Sequence, residues 1–221
     1  ETMVSYSRYD RILFSCDFFG SHFASTELFS SKIPRVFEAA KRYYAEIMMP
    51  FRAIIRKNIQ KIEGLDIGMI APSHGPVFDN PGLILDAYRD WVSDRVDNEV
   101  ALPYVSMHGS TEKMVEYFVE ALTARGISVH PFNLTVSDAG ELAMSLVSSA
   151  TIVIGTPTVL AGPHPTVAAA AYLVNALRPK NRFISVIGSY GWGGKTVDQL
   201  AAILKDLKAV MLPPVLKKGA P

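Results

Sequence analysis

Two hydrophobic rhythms divide the chain near residue 98. From Ala101 onward, short apolar runs alternate with longer segments whose apolar residues recur every three or four positions. The runs at 101–105, 127–132, 150–155 and 182–188 predict buried strands, and a fifth, weaker one lies near 208–216. Between them, segments at about 113–124, 138–148, 165–177 and 195–207 predict helices. Strands alternating with helices imply an α/β fold with a parallel sheet covered on both faces. Residues 1–98 are less regular and read as an irregular α/β piece. Stretches 11–16 and 67–71 predict short buried strands, and 33–64 is mostly helical. Pro50 breaks or kinks that helix, because proline lacks the N–H the helix needs. Segment 81–95 predicts a further helix, with Leu83, Leu85, Ala87, Tyr88 and Trp91 at its apolar positions. Asp97-Asn98-Glu99 reads as a hinge, so the expected division is 1–98 and 99–221.

Both ends read as cut. Two strands in residues 1–98 lack the partners that would close a core, no helix follows the fifth strand of the second part, and the first residue is Glu1 rather than Met. The expectation is one segment of a larger polypeptide. Composition adds bounds. The 221 residues are 49% hydrophobic and 19% charged, ordinary for one large domain or two small ones. A net charge of +1 gives neither a nucleic-acid footprint nor an acidic tail. The single cysteine, Cys16, rules out an internal disulfide framework and fits a reducing compartment. The apolar runs are far too short to span a membrane, and no signal peptide or lipidation motif is visible. One local charge feature stands out: residues 32–61 carry eight Lys or Arg against two Glu. That run reads either as a solvated helix face or as a docking surface for an acidic redox partner, centred on Arg52, Arg56 and Lys57.

The stretch Ser106-Met107-His108-Gly109-Ser110-Thr111-Glu112-Lys113 joins the strand at 101–105 to a helix. A small, hydroxyl-rich turn at a helix N-terminus can cradle an anion, because free N–H groups and the positive end of the helix dipole converge there. It lacks both the Gly-Lys-Ser/Thr ending of a Walker loop and Gly-x-Gly-x-x-Gly, and suits one terminal phosphate such as that of a flavin mononucleotide. As a lone feature it is equally a helix cap. Two further loops follow strands. One holds Gly155-Thr156-Pro157-Thr158-Val159-Leu160-Ala161-Gly162, and the other Gly188-Ser189-Tyr190-Gly191-Trp192-Gly193-Gly194. Ligands of open parallel sheets bind beyond the C-terminal ends of the strands, where all three loops fall. Glycines allow backbone to approach a flat ligand, and Tyr190 and Trp192 offer ring faces. In the first part, Asp17 and His74 each follow a buried strand. A carboxylate and an imidazole so placed can converge on a metal, although a catalytic metal needs three or more ligands. Alone, Asp17 reads more often as a turn or cap residue and His74 as a hydrogen-bonded loop histidine.

Residues 100–216 resemble flavodoxin. The resemblance implies that Ser106, Met107, His108, Gly109, Ser110 and Thr111 surround the FMN phosphate. It implies that Pro157, Thr158, Val159, Leu160, Ala161, Gly162, Ser189, Tyr190, Gly191, Trp192 and Gly193 bracket the isoalloxazine ring. The whole chain is similar to the flavodiiron proteins (A-type flavoproteins). The motifs that carry this are Leu13-Phe14-Ser15-Cys16-Asp17-x-Phe19-Gly20, Ala71-Pro72-Ser73-His74-Gly75, Ser106-Met107-x-Gly109-x-Thr111-Glu112-Lys113-Met114 and Gly155-Thr156-Pro157-Thr158. That family joins a metallo-β-lactamase-like αββα domain, here its C-terminal part (1–98), to a flavodoxin-like five-stranded parallel sheet (99–221, last helix missing). The likeness implies FMN and two irons, with Asp17 bridging the irons, His74 a terminal ligand, and the remaining ligands outside this chain. Glu1–Tyr6 resembles the stretch just past another family histidine ligand. His22 has the place of a residue near the irons or of an exposed loop histidine, Phe18 stands where it narrows access, and Leu160-Ala161 replaces a more usual polar pair. The implied activity is reduction of dioxygen to water, of nitric oxide to nitrous oxide, or both, in the cytoplasm. Electrons come from a soluble donor such as rubredoxin, or by a deazaflavin or nicotinamide route. The implied assembly is a head-to-tail homodimer or a tetramer built from such dimers. Two alternatives stand beside this reading: a flavodoxin-like electron carrier without an active metal site, and a metallo-hydrolase with an appended flavodoxin-like module.

Overall fold

The computed structural model describes residues 3–219 and divides the chain into two compact units, Glu1–Asp94 and Arg95–Pro221. Glu1 and Thr2, part of the stretch likened to a ligand segment, lie outside the described residues.

In the first unit β1 (Ser5–Ser7) pairs antiparallel with β2 (Ile12–Cys16), which pairs parallel with β3 (Met69–Pro72). β1 has no sequence signature, since it is short and polar and exists by pairing with β2. In β2 the alternation sends Leu13 and Ser15 inward, both fully buried, and leaves Phe14 half-exposed. The long helical stretch is broken at Pro50, as its missing N–H requires. α1 (Val36–Tyr43) widens into a π-turn (Tyr44–Met48), tightens to a 3₁₀ turn (Met49–Phe51) and resumes as α2 (Arg52–Ile62). α3 (Pro81–Val92) begins with proline at a position where the N–H is unused. These elements bury Leu13, Ile70, Ile84, Tyr44 and Tyr88 in a core. Its aromatic part is continuous: Phe18 stacks on Phe19 with ring centroids 3.8 Å apart, Phe19 meets Tyr88 edge-on at 4.8 Å, and Tyr88 lies 5.1 Å from Trp91. Phe18 is 5% exposed, and its ring packs into this core.

The basic run 32–61 also has a structural use. Arg52 donates to Ser93 O and to the Asp94 carboxylate at 2.8 Å, and Arg56 donates to Val92 O and to both Asp94 oxygens. Two guanidiniums from α2 thus hold the C-terminal carbonyls of α3, where a helix leaves acceptors unpaired and favours positive charge. Arg52 and Arg56 thus have a structural use beside the docking expectation.

The second unit is built on five parallel strands: β4 (Asp97–Tyr104), β5 (Ser128–Asn133), β6 (Ser149–Val159), β8 (Phe183–Tyr190) and β10 (Val215–Lys218). Their order is β10-β8-β6-β4-β5. Counted along these five, that is 2-1-3-4-5, the doubly wound order of flavodoxin-like sheets. The two-residue β7 (Gly162–Pro163) pairs antiparallel with the end of β6, and β9 (Val210–Met211) pairs with β8. The helices are α4 (Ser110–Thr123), α5 (Ala139–Leu146), α6 (Pro165–Leu177) and α7 (Thr196–Ile203). Val100, Leu102, Val115, Val153 and Ile187 form a buried cluster between α4 and the sheet. Asp97–Glu99 are not a hinge: they open β4, and Glu99 already pairs with Ser128 of β5. The second and third loops are also shorter than the sequence implied. Pro157 of β6 still pairs with Ser189 of β8, so both strands run past the glycines read as their ends. Among the described residues no helix is long and apolar enough to cross a membrane.

Candidate functional site

In the first unit the end of β2 is bent to present Asp17. Cys16 (φ 54°) and Phe19 (φ 65°) both adopt left-handed backbone, unusual for residues with a β-carbon. The turn is closed by Phe18 N–H to Ser15 O at 3.0 Å and by the buried Ser15 hydroxyl to Phe18 O at 2.6 Å. Two backbone bonds bring the second strand end alongside: Ser73 N–H to Cys16 O at 2.8 Å, and Ser21 N–H to His74 O at 2.9 Å. Asp17 and His74 therefore meet, with Nε2 3.3 Å from Oδ1 and both side chains about half exposed. His22 stands edge-on to His74 at 5.3 Å and edge-on to Tyr43 at 4.7 Å. Burial, and then the Asp17 carboxylate, holds the Tyr43 phenol above its ordinary range. One carboxylate and one imidazole are donors that suit iron with open positions. Among the described residues no group of three or more His, Cys, Asp or Glu is placed to hold a metal ion, and two donors alone fall short of a catalytic metal's ligand set.

In the second unit a cavity of about 660 Å³ opens at the C-terminal ends of β4, β6 and β8. This is the switch point, where strand order reverses between β4 and β6, and the volume is that of a small-molecule site. The first loop enters through Gly109, whose φ of 80° places it as the N-cap of α4. Ser106 does not line the cavity; its hydroxyl accepts from Glu112 N–H at 3.2 Å and so caps α4 from outside. Met107, His108, Ser110 and Thr111 do line it. The Thr111 hydroxyl is buried and shares a 3.0 Å hydrogen bond with Ser189, which ties the first loop to the third. The first N–H groups of α4 have no acceptor within the helix.

Pro157, Thr158, Val159 and Leu160 line the side of the cavity formed by β6. Leu160 (φ 50°) and Ala161 (φ 63°) form a two-residue turn joining β6 to β7, left-handed at both positions, and Leu160 is 93% exposed. Ala161 and Gly162 do not reach the cavity. Ala161 O accepts from Lys195 N–H at 2.8 Å, and a β-carbon at 162 would fall 2.2 Å from the Gln199 side chain. From β8 and beyond, Ser189, Tyr190, Gly191 and Trp192 line it, with Trp192 78% exposed; Gly193 and Gly109 do not. His164 caps α6, its Nδ1 accepting from Thr166 N–H at 3.2 Å. Two lining residues were missed from sequence: Lys218 and Gly219, at the end of β10. They looked like a tail; the available signal was the paired lysine at the close of the fifth strand. Unpaired helix-terminal amides, hydroxyls and exposed ring faces around one cavity fit an anionic, flat, aromatic ligand, and FMN is one.

Comparison with known proteins agrees in sequence and in fold. Residues 1–75 match the family described as ODP family beta lactamase, and residues 102–219 match the flavodoxin family. The anaerobic nitric oxide reductase flavorubredoxin of Escherichia coli is 33% identical over 213 residues, covering 93% of this chain and 44% of that protein. The structure of rubredoxin oxygen:oxidoreductase from Desulfovibrio gigas superposes with a TM-score of 0.93 at 30% identity, over 99% of this chain and 57% of that one. The flavodiiron protein from Giardia intestinalis gives 0.89 at 26% identity, over 99% and 56%. The chain spans about half the length of the curated relatives it matches.

Proposed function

The chain belongs to the flavodiiron family, with an ODP-type beta-lactamase segment followed by a flavodoxin domain, and from that we propose that it is part of an FMN- and diiron-dependent oxidoreductase that reduces dioxygen, nitric oxide or both. The observation that carries this reading is the joint presence, on one chain, of the Asp17–His74 pair at 3.3 Å and the cavity at the switch point of the sheet. When bound, FMN would supply one-electron steps from a soluble donor, and a diiron pair would supply two electrons with open positions for a diatomic gas. Everything else is the work of this chain's residues. The α4 N-terminus and Ser110 would hold the phosphate by direct donation. Tyr190 and Trp192 present ring faces to the isoalloxazine, and Leu160 stands over its opening. The short β6–β7 turn keeps Leu160 there without a long loop.

In the first unit Asp17 and His74 would hold the iron, supplying a carboxylate and an imidazole donor. The backbone bonds at Cys16 and His74 orient both donors before any metal arrives. The proposed donor is a rubredoxin-like protein, the proposed assembly a homodimer, and the proposed setting the cytoplasm. The deciding experiment is anaerobic turnover of the full-length protein with O2 and NO in parallel, with iron and flavin measured on the same sample. Consumption of either gas, dependent on both cofactors, is expected. A preparation that carries FMN and no iron would replace this reading with that of an electron carrier.

A further inference from the structure

We propose that Ser189 is a positioning residue for the phosphate of bound FMN: its hydroxyl donates to Thr111, and so turns the Thr111 proton towards the phosphate. The proposal rests on the FMN reading of the cavity and deepens it. It moves a residue of the third loop, which the resemblance places beside the flavin ring, to the phosphate end.

A hydroxyl has one proton to donate and two lone pairs to accept with. Thr111 and Ser189 share one hydrogen bond, 3.0 Å between their oxygens, which uses one of the two protons. Among the described residues neither hydroxyl makes a second hydrogen bond. Both residues are more than nine-tenths buried, Thr111 at 1% and Ser189 at 8% exposure, and both line the cavity. A buried donor without an acceptor is rare and costly. The acceptor for the spare proton therefore has to come from the cavity.

Position decides which hydroxyl carries that proton. Thr111 is the second residue of α4, in the turn whose N–H groups lack helical acceptors and where the helix dipole favours an anion. Ser189 is fixed on both sides within the sheet, opposite Pro157 of β6 and Lys217 of β10. Its side chain stands at the start of α4: a β-carbon at Gly219 would lie 3.5 Å from the Ser189 β-carbon and 3.3 Å from Ser110 Oγ. If Thr111 donated to Ser189, the threonine would offer an anion only its lone pairs. With Ser189 donating, Thr111 keeps its proton for the anion. A hydroxyl that accepts one hydrogen bond also donates a stronger one, by roughly 10–30%. This relay meets a charged acceptor in FMN and none in riboflavin, so its consequence is selectivity for the phosphorylated flavin.

The test uses the full chain, stripped of flavin and titrated with FMN and with riboflavin by flavin fluorescence. Ser189→Ala is expected to weaken FMN roughly three- to tenfold and to leave riboflavin within about twofold. Thr111→Val is expected to weaken FMN roughly tenfold or more, again with little change for riboflavin. Thr111→Ser keeps the hydroxyl and is expected to retain most of the FMN preference. In the Thr111→Val background, Ser189→Ala is expected to change FMN affinity by less than about twofold, because the serine acts only through the threonine. A serine that merely packs the sheet would not show that dependence. Unchanged FMN affinity in Ser189→Ala, equal weakening of both flavins, or a full Ser189→Ala effect on top of Thr111→Val overturns the relay while leaving the FMN site standing. A wild-type chain that binds neither flavin overturns the FMN reading itself, and this proposal with it.

Discussion

At φ 93°, Gly75 occupies left-handed backbone, and a β-carbon there would fall 2.2 Å from Ser21 Oγ and 2.5 Å from Ser21 O. Ser21 is fully buried and its N–H holds His74 O, so crowding at 75 displaces the histidine's own backbone. Gly75→Ala is expected to cost roughly 2–4 kcal/mol from strain and overpacking together. It should also lower iron retention, although residue 75 donates nothing to a metal. Urea unfolding and iron content of the purified variant check both; wild-type stability would show that Ser21 yields freely. The same backbone region appears where no glycine relieves it, at Cys16, Phe19, Leu160 and Ala161. These positions flank Asp17 or form the turn at the cavity mouth, and strained backbone persists where surrounding structure overdetermines it. That Asp17 and His74 each follow a strand was legible in the sequence. The turn that aims Asp17 was not, because Cys16 and Phe19 carry no chemical mark of a left-handed backbone.

At the scale of elements, the α2–α3 clamp makes a pH-dependent contribution. Hydrogen bonds from Arg56 and then Arg52 lower the Asp94 carboxyl from 3.8 to about 2. A depressed folded value means that the contribution is complete above about pH 4 and disappears as pH falls towards 2. Asp94 is largely exposed, so the effect is expected to stay below about 1 kcal/mol. Unfolding of wild type and Asp94→Asn between pH 7 and 3 should show a gap that narrows on acidification; a constant gap would place the stabilisation elsewhere. Elements whose burial pattern is complete were legible, such as β6 through Ile152, Val153 and Ile154. Their ends were not. Gly155 and Pro157 look like breakers, yet parallel pairing with β8 carries β6 to Val159. Polar Ser5–Ser7 looks like coil, yet pairing with β2 makes it a strand. Lys218 and Gly219 escaped notice for the same reason: strand partners, not local composition, bring the end of β10 to the cavity.

At the scale of the molecule, the two candidate sites fall in different units. Asp17 and His74 belong to Glu1–Asp94, and every residue lining the cavity, from Met107 to Gly219, belongs to Arg95–Pro221. A ligand that binds only the folded form stabilises the unit that holds it, by about 2.7 kcal/mol at a hundredfold excess over its Kd. The full chain is therefore expected to unfold in two steps, with added FMN raising one and metal chelation lowering the other. Two tryptophans separate the steps. Trp91 is buried in the first unit's aromatic core, and Trp192 stands exposed at the cavity. Flavin should quench Trp192 on binding, and the FMN-sensitive step should follow release of that quenching. The chelator-sensitive step should follow Trp91. Substituting Trp192 by Phe leaves the Trp91 signal alone, so the first step can be followed without the flavin. A single transition, shifted alike by FMN and by chelation, would instead mean that the units unfold as one, with flavin and metal each stabilising the whole chain.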